Sequence, residues 1–228
     1  MEKPESIGWR RGKTNKKYLV LIGVIAILAI AGFFVYQKYH KKNAKSETTT
    51  SNQTNESTSP PVSSSQYAYP VANFLTGQTK KPFGIYITPA TSPVQPEKFT
   101  GYHTGVDIEQ VQDNTDVPVY AINDGTVKFV GQVGGYGGVL IYETTINNES
   151  VTILYGHIRL SSAEKNVGDT VSKGEKLAIL GSPNSSETDG ERKHLHFSIH
   201  KGSQIVYLGY VQNQSELNNW LNPDDLIQ

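Results

Sequence analysis

The chain contains no cysteine. Disulfides, thiolate metal sites and a cysteine nucleophile are therefore excluded, and any metal site must draw on His, Asp and Glu. The same absence leaves the redox compartment open. Excess charge is missing too: 21 Lys+Arg stand against 21 Asp+Glu, so no global basic field points to nucleic acid. The only methionine is the initiator, and histidine is used six times.

What is present begins with a long apolar run. Tyr18 to Tyr36, "YLVLIGVIAILAIAGFFVY", carries no charge, about the span a hydrocarbon core requires. Arg10, Arg11, Lys13, Lys16 and Lys17 precede it, and Lys38, Lys41, Lys42 and Lys45 follow. The basic bias toward the amino side argues for a cytoplasmic N-terminus. Ala29-Ile30-Ala31 resembles a signal-peptide cleavage site, but the apolar run continues through Phe33, Phe34 and Val35, which argues for an uncleaved single-pass anchor. Ser46 to Gln66 is mostly Ser and Thr with one hydrophobic residue, Val62. Such a stretch cannot bury enough apolar surface to order itself and reads as a disordered tether, with a coil reach of roughly 25 Å. The expected organisation is a basic cytoplasmic stub (1–17), a transmembrane helix (18–36), a linker (37–66) and an extracytoplasmic globular domain (67–228).

The globular part reads as β throughout. "DVPVYAI", "GTVKFVGQV", "GVLIYETT", "SVTILYGHI", "KLAILGS", "HLHFSIH" and "SQIVYL" are short Val-, Ile-, Tyr- and Phe-rich runs separated by Gly, Asn, Asp and Ser. Asn123-Asp124-Gly125 and Asn147-Asn148 look like tight turns. Near the end, "SELNNWLNPDDL" suggests a short helix stopped at Pro223. The class expected is all-β, an antiparallel sandwich-like sheet. "GQVGGYGG", Gly131 to Gly138, does not fit GxGxxG and is followed by a β-rich run, so it reads as a glycine-rich hairpin bend rather than a phosphate loop. "NVGDTVSKGEKLAIL" has the turn–strand pattern of biotinyl carriers. No methionine flanks a lysine there, so only a shared hairpin is implied.

His40 follows the apolar run and has no role beyond interfacial charge. The other five histidines all fall in the β domain. His194, His196 and His200 alternate with Leu195, Phe197 and Ile199, so a strand would place the two sets on opposite faces. His103 and Asp107 form an H-x-x-x-D pair in "GYHTGVDIE". In a straight strand their Cα atoms would lie about 13 Å apart, too far to share an ion. A bend near Gly105 has to bring them together. His194 and His196, about 6.6 Å apart along a strand, allow one to bind a metal while the other faces the water or substrate on it. His103, Asp107 and one of that pair would make three N/O ligands with a fourth position left for water, the pattern of a catalytic rather than a structural zinc site.

In this order along a β-rich domain, "HTGVD", "YGH" and "HLHF" resemble the lysostaphin/LytM-type zinc endopeptidases that cut bacterial peptidoglycan. The likeness runs from about Thr100 to Lys201 and includes "VPVYAINDGTVKFVG" and "VGDTVSKGEKLAILG". It implies a LytM-type fold, one Zn²⁺ held by His103, Asp107 and His196, and catalytic roles for the two non-ligand histidines, His157 and His194. It implies peptidoglycan peptides as substrate, hydrolysed by a zinc-activated water. No H-E-x-x-H glutamate is available as base, so His157 and His194 must share proton transfer and oxyanion contacts. His200 reads as a surface or hydrogen-bonded histidine. Two features depart from the family. The approach to H-x-H is the long, charged "SSETDGERKHLH", and Ser198 stands where an acidic residue often follows the Phe. Both bear on substrate preference, because that loop should line the cleft. The rival is a catalytically silent LytM-like module that regulates a wall hydrolase or a partner membrane protein. Such modules typically lack one or more of the five motif residues, and all five are present here.

Overall fold

Alternating apolar and polar residues from Gly101 onward become paired strands in the computed structural model, which describes residues 66–77, 79–110 and 115–228. The basic stub, the apolar run 18–36 and the linker up to Ser65 lie outside the described residues. Among the described residues no helix is long and apolar enough to cross a membrane.

The described residues form fourteen strands in chain order: β1 (Thr79–Lys81), β2 (Tyr86–Ile87), β3 (Gly101–His103), β4 (Gly105–Glu109), β5 (Pro118–Tyr120), β6 (Gly125–Val133), β7 (Gly137–Ile146), β8 (Glu149–Gly156), β9 (Ile158–Arg159), β10 (Thr170–Val171), β11 (Lys176–Leu180), β12 (His194–Lys201), β13 (Tyr210–Val211) and β14 (Trp220–Leu221). The largest sheet runs β1-β4-β12-β8-β7-β6-β10, with β14 also on β12. Two three-stranded sheets, β5-β11-β9 and β13-β3-β2, complete the fold. The pairings in these sheets are antiparallel. The all-β expectation holds.

Strand β12 shows why the pattern works. Leu195, Phe197 and Ile199 are fully buried and join Val106, Ile108, Ile153 and Tyr155 in the main apolar core. Burial of each such side chain contributes about 1.5–3 kcal/mol, which fixes the register and turns His194 and His196 to the opposite face. The β7–β8 hairpin closes on Asn147 and Asn148, at φ 52° and 65°, the left-handed pair a two-residue type I′ turn demands.

Two expectations fail locally. "SQIVYL" forms no strand: Ile205, Tyr207 and Leu208 are exposed instead of paired. Near the C-terminus the chain makes a 3₁₀ helix (Gln214–Asn219), then β14, and only then an α-helix, α1 (Pro223–Leu226). Pro223 begins that helix rather than stopping the preceding one. Its missing N–H costs nothing in the first turn, and Asn222 caps it by accepting from the Asp224 amide.

Candidate metal centre

The bend that the H-x-x-x-D pair requires lies at Thr104. Strand β3 carries His103 in one sheet and β4 carries Asp107 in another, so the chain changes sheets between them. Thr104 holds the corner. Its amide donates to the Gly209 carbonyl (3.0 Å) and its hydroxyl to the Leu208 carbonyl (2.6 Å). Gly105 serves a purpose other than the one expected of it. Its φ is not positive, and a Cβ there would run into the Phe197 carbonyl oxygen and lie 2.9 Å from Ser198 Cβ. Its missing side chain lets β4 and β12 approach, which puts Asp107 directly opposite His196 in the register.

Three ligating atoms then converge. His103 Nε2 lies 3.1 Å from His196 Nδ1 and 3.3 Å from Asp107 Oδ1, and His196 Nδ1 lies 3.1 Å from the same Oδ1. Metal–ligand bonds of 2.0–2.2 Å at tetrahedral angles separate ligand atoms by about 3.3–3.5 Å, so this triangle fits one face of a zinc tetrahedron. The outer nitrogens suit the role. His103 Nδ1 is 3.3 Å from the Pro82 carbonyl, and His196 Nε2 is 3.3 Å from the Tyr136 hydroxyl. If each outer nitrogen donates its proton, both inner nitrogens present lone pairs to the centre, beside a carboxylate oxygen. Three buried acceptors facing one another call for a cation. Burial alone would raise the Asp107 pKa, but His194, His103 and His196 around it hold the carboxyl well below its usual range.

His194 and His157 stand next to this triangle. His194 Nε2 is 3.5 Å from Asp107 Oδ2, on the oxygen turned away from His103, and its Nδ1 is 2.9 Å from the Arg192 carbonyl. His157 Nδ1 is 3.2 Å from the Thr188 carbonyl, and the His157 and His194 rings are 4.2 Å apart. Both carbonyls belong to the long approach loop, which thus orients the two non-ligand rings with Nδ1–H outward and Nε2 free to accept. His157 sits at φ 62° between β8 and β9, a left-handed kink that turns its ring out of the strand's alternation. Burial pushes its pKa down to about 3, opposed by Asp107, and burial likewise drives His194 well below its ordinary value. Both rings are neutral, proton-accepting imidazoles near neutral pH.

A cleft of about 280 Å³ opens over these groups, lined by Asp107, His157, His194 and His196 together with Arg192, Tyr136 and Tyr210. The unpaired "IVYL" segment supplies Tyr207 and Leu208 to its rim. Sequence reasoning missed Arg192, which donates through Nη2 to Asp107 Oδ2 (3.1 Å) and grips both oxygens of Glu109. It missed Tyr136 as well, hidden in the glycine run. A Cβ at Gly156 would come within 2.6 Å of the Tyr136 ring, so the glycine opposite His196 makes room for it. Ser198 is buried on β12, and His200 lies at the far end of that strand, its ring edge-on to Trp220 at 4.9 Å and away from the cleft.

Comparison with known proteins agrees with this geometry. The family model "Peptidase family M23" matches residues 101–208. A protein of Haemophilus influenzae described as an uncharacterized metalloprotease is 32% identical over 119 residues, 52% of this chain and 21% of its own length. This chain therefore spans about a fifth of that curated relative. Among solved structures, cbpa from L. salivarius REN superposes with a TM-score of 0.50 at 18% identity, covering 71% of this chain and 94% of that one, a likeness of fold. A zinc-containing peptidase from Vibrio cholerae is 25% identical with a TM-score of 0.43, over 58% of this chain and 36% of that one. Residues 101–208, the stretch that matches the peptidase family M23 model, hold the three converging ligand atoms of His103, Asp107 and His196 and carry His157 and His194 on the adjoining cleft.

Proposed function

We propose that this chain is a zinc-dependent endopeptidase that hydrolyses peptide bonds of bacterial peptidoglycan, held by residues 18–36 at the outer face of the cytoplasmic membrane. The observation that carries the hydrolytic reading is a division of labour. Three acceptors converge as one ligand face, while two further neutral histidines point into the same cleft without joining it. A structural site would be closed by a fourth protein ligand. Zinc bound to His103, Asp107 and His196 would supply Lewis acidity toward the scissile carbonyl and acidify a water. The chain's own share is proton handling. His157 and His194 have Nδ1 tied to loop carbonyls, so each can take a proton at Nε2 and return it to the leaving amine. Arg192, anchored by Glu109, keeps Asp107 Oδ2 occupied and so leaves Oδ1 as the ligand atom.

The test is incubation of the zinc-loaded protein with purified peptidoglycan and identification of new termini by mass spectrometry. New amino termini that vanish on chelation and return with zinc support the reading. A fully zinc-loaded protein that releases none would favour a silent, regulatory module.

A further inference from the structure

Beside the metal triangle lies a buried ion pair that the proposed chemistry does not use. Lys81 on β1 is 3% exposed, and its Nζ is 2.6 Å from Glu97 Oε2. Glu97 is saturated: Oε2 also accepts from Ser92 Oγ (3.0 Å), and Oε1 accepts from the Lys98 and Phe99 amides (2.9 Å each). A buried pair of this kind is weak support for stability, since desolvation offsets most of the attraction. Its remaining contact is specific. Lys81 Nζ donates to the Tyr210 hydroxyl at 3.1 Å.

Strand register makes that contact relevant to the site. Lys81 lies opposite Asp107 across β1–β4, and Tyr210 lies opposite His103 across β13–β3. The Tyr210 ring packs 5.2 Å from the His103 ring and forms part of the cleft lining. An ammonium group has donors only, so the Tyr210 oxygen must accept from Lys81, and its own proton has to point elsewhere. Among the described residues Lys81 is the only hydrogen-bond partner of that hydroxyl. A phenol, which ordinarily titrates near 10, keeps its proton at neutral pH.

We infer that Tyr210 is a further catalytic residue, whose hydroxyl, oriented by Lys81 and Glu97, donates a hydrogen bond to the substrate carbonyl oxygen as it gains negative charge. Lys81 and Glu97 are positioning residues that act through Tyr210. The inference rests on the hydrolase reading and adds a fixed donor to it. When a water oxygen bonds to the carbonyl carbon, the C=O π electrons move onto oxygen, and the Tyr210 O–H is aimed at that charge without itself being transferred. A donor fixed before the reaction stabilises the transition state more than the ground state.

The experiment uses the full zinc-loaded chain in detergent. Y210F should lower kcat on peptidoglycan fragments by about a hundredfold, with KM and zinc content near wild type. K81M/E97M removes both charges together and so avoids a lone buried ion. It should lose a similar factor, and K81M/E97M/Y210F should be no slower than Y210F alone. Thermal melts establish that each variant is folded. A Y210F kcat within about twofold of wild type, or losses that multiply in the triple variant, overturns the inference. A second arm measures affinity for a phosphinic peptide, whose tetrahedral anion mimics the intermediate. Y210F should bind it far more weakly than wild type while binding the parent peptide equally. Wild type that releases no termini would remove the hydrolase reading itself. The phosphinic arm still decides Tyr210, because equal affinity in wild type and Y210F counts against it.

Discussion

His196 and His194 stand two residues apart on one strand and differ because their nitrogens are committed differently. His196 turns Nδ1 toward Asp107 and His103, whereas His194 ties Nδ1 to the Arg192 carbonyl. H196A should therefore lose stoichiometric zinc by elemental analysis, while H194Q should keep it and lose hydrolysis by about 10²–10⁴-fold. For His157 the clean variant is Asn, which tolerates the left-handed backbone and removes the base. H157N should also retain zinc and lose activity. Its pH behaviour supplies a separate prediction for the metal-free protein. Folded His157 has its pKa lowered from 6.5 to about 3. Above pH 6.5 both folded and unfolded forms are neutral and nothing changes. Below it the unfolded chain takes up a proton that the folded one refuses, so stability is lost as pH falls toward 3, by up to about 1.4 kcal/mol per pH unit. Denaturant titrations from pH 7 to 4 should show a shallower acid slope in H157N than in wild type. An identical slope would mean that His157 does not contribute.

At the scale of elements, the site depends on how closely β4 and β12 can lie. G105A should force them apart against the Phe197 carbonyl, costing about 1–3 kcal/mol by thermal melt and weakening zinc binding in the same variant. A destabilised G105A with unchanged zinc affinity would show that the approach serves packing alone. Strand β12 was legible in the sequence because a period of two in "HLHFSIH" can be satisfied only with the apolar set inward. The H-x-x-x-D bend was legible in its necessity but not in its cause. Thr104 makes the corner through bonds to Leu208 and Gly209, a hundred residues away in the chain. "SQIVYL" has the composition of a strand but lies on the cleft rim, where Leu208 is 54% exposed. Lys81 and Tyr210 carry no local signal, because the pairings β1–β4 and β13–β3 that bring them to the centre are long-range.

For the whole molecule, the proposed anchor and tether set where the domain can work. A flexible tether of roughly 25 Å would limit attack to wall close to the bilayer. Protease added to intact spheroplasts should digest the β domain and spare the short N-terminal stub. A mature N-terminus at Gly32 would instead make the protein a released hydrolase, and full protection of the β domain would place it on the wrong side of the membrane. The central claim is the division between three ligands and two free histidines, and X-ray absorption at the zinc K-edge addresses it most directly. The zinc-loaded protein should show four N/O neighbours at about 2.0–2.2 Å with scattering from two imidazoles, and the count should stay at two in H194Q. Three or more imidazoles in wild type, or a loss of one in H194Q, would put His194 or His157 on the metal and contradict the account.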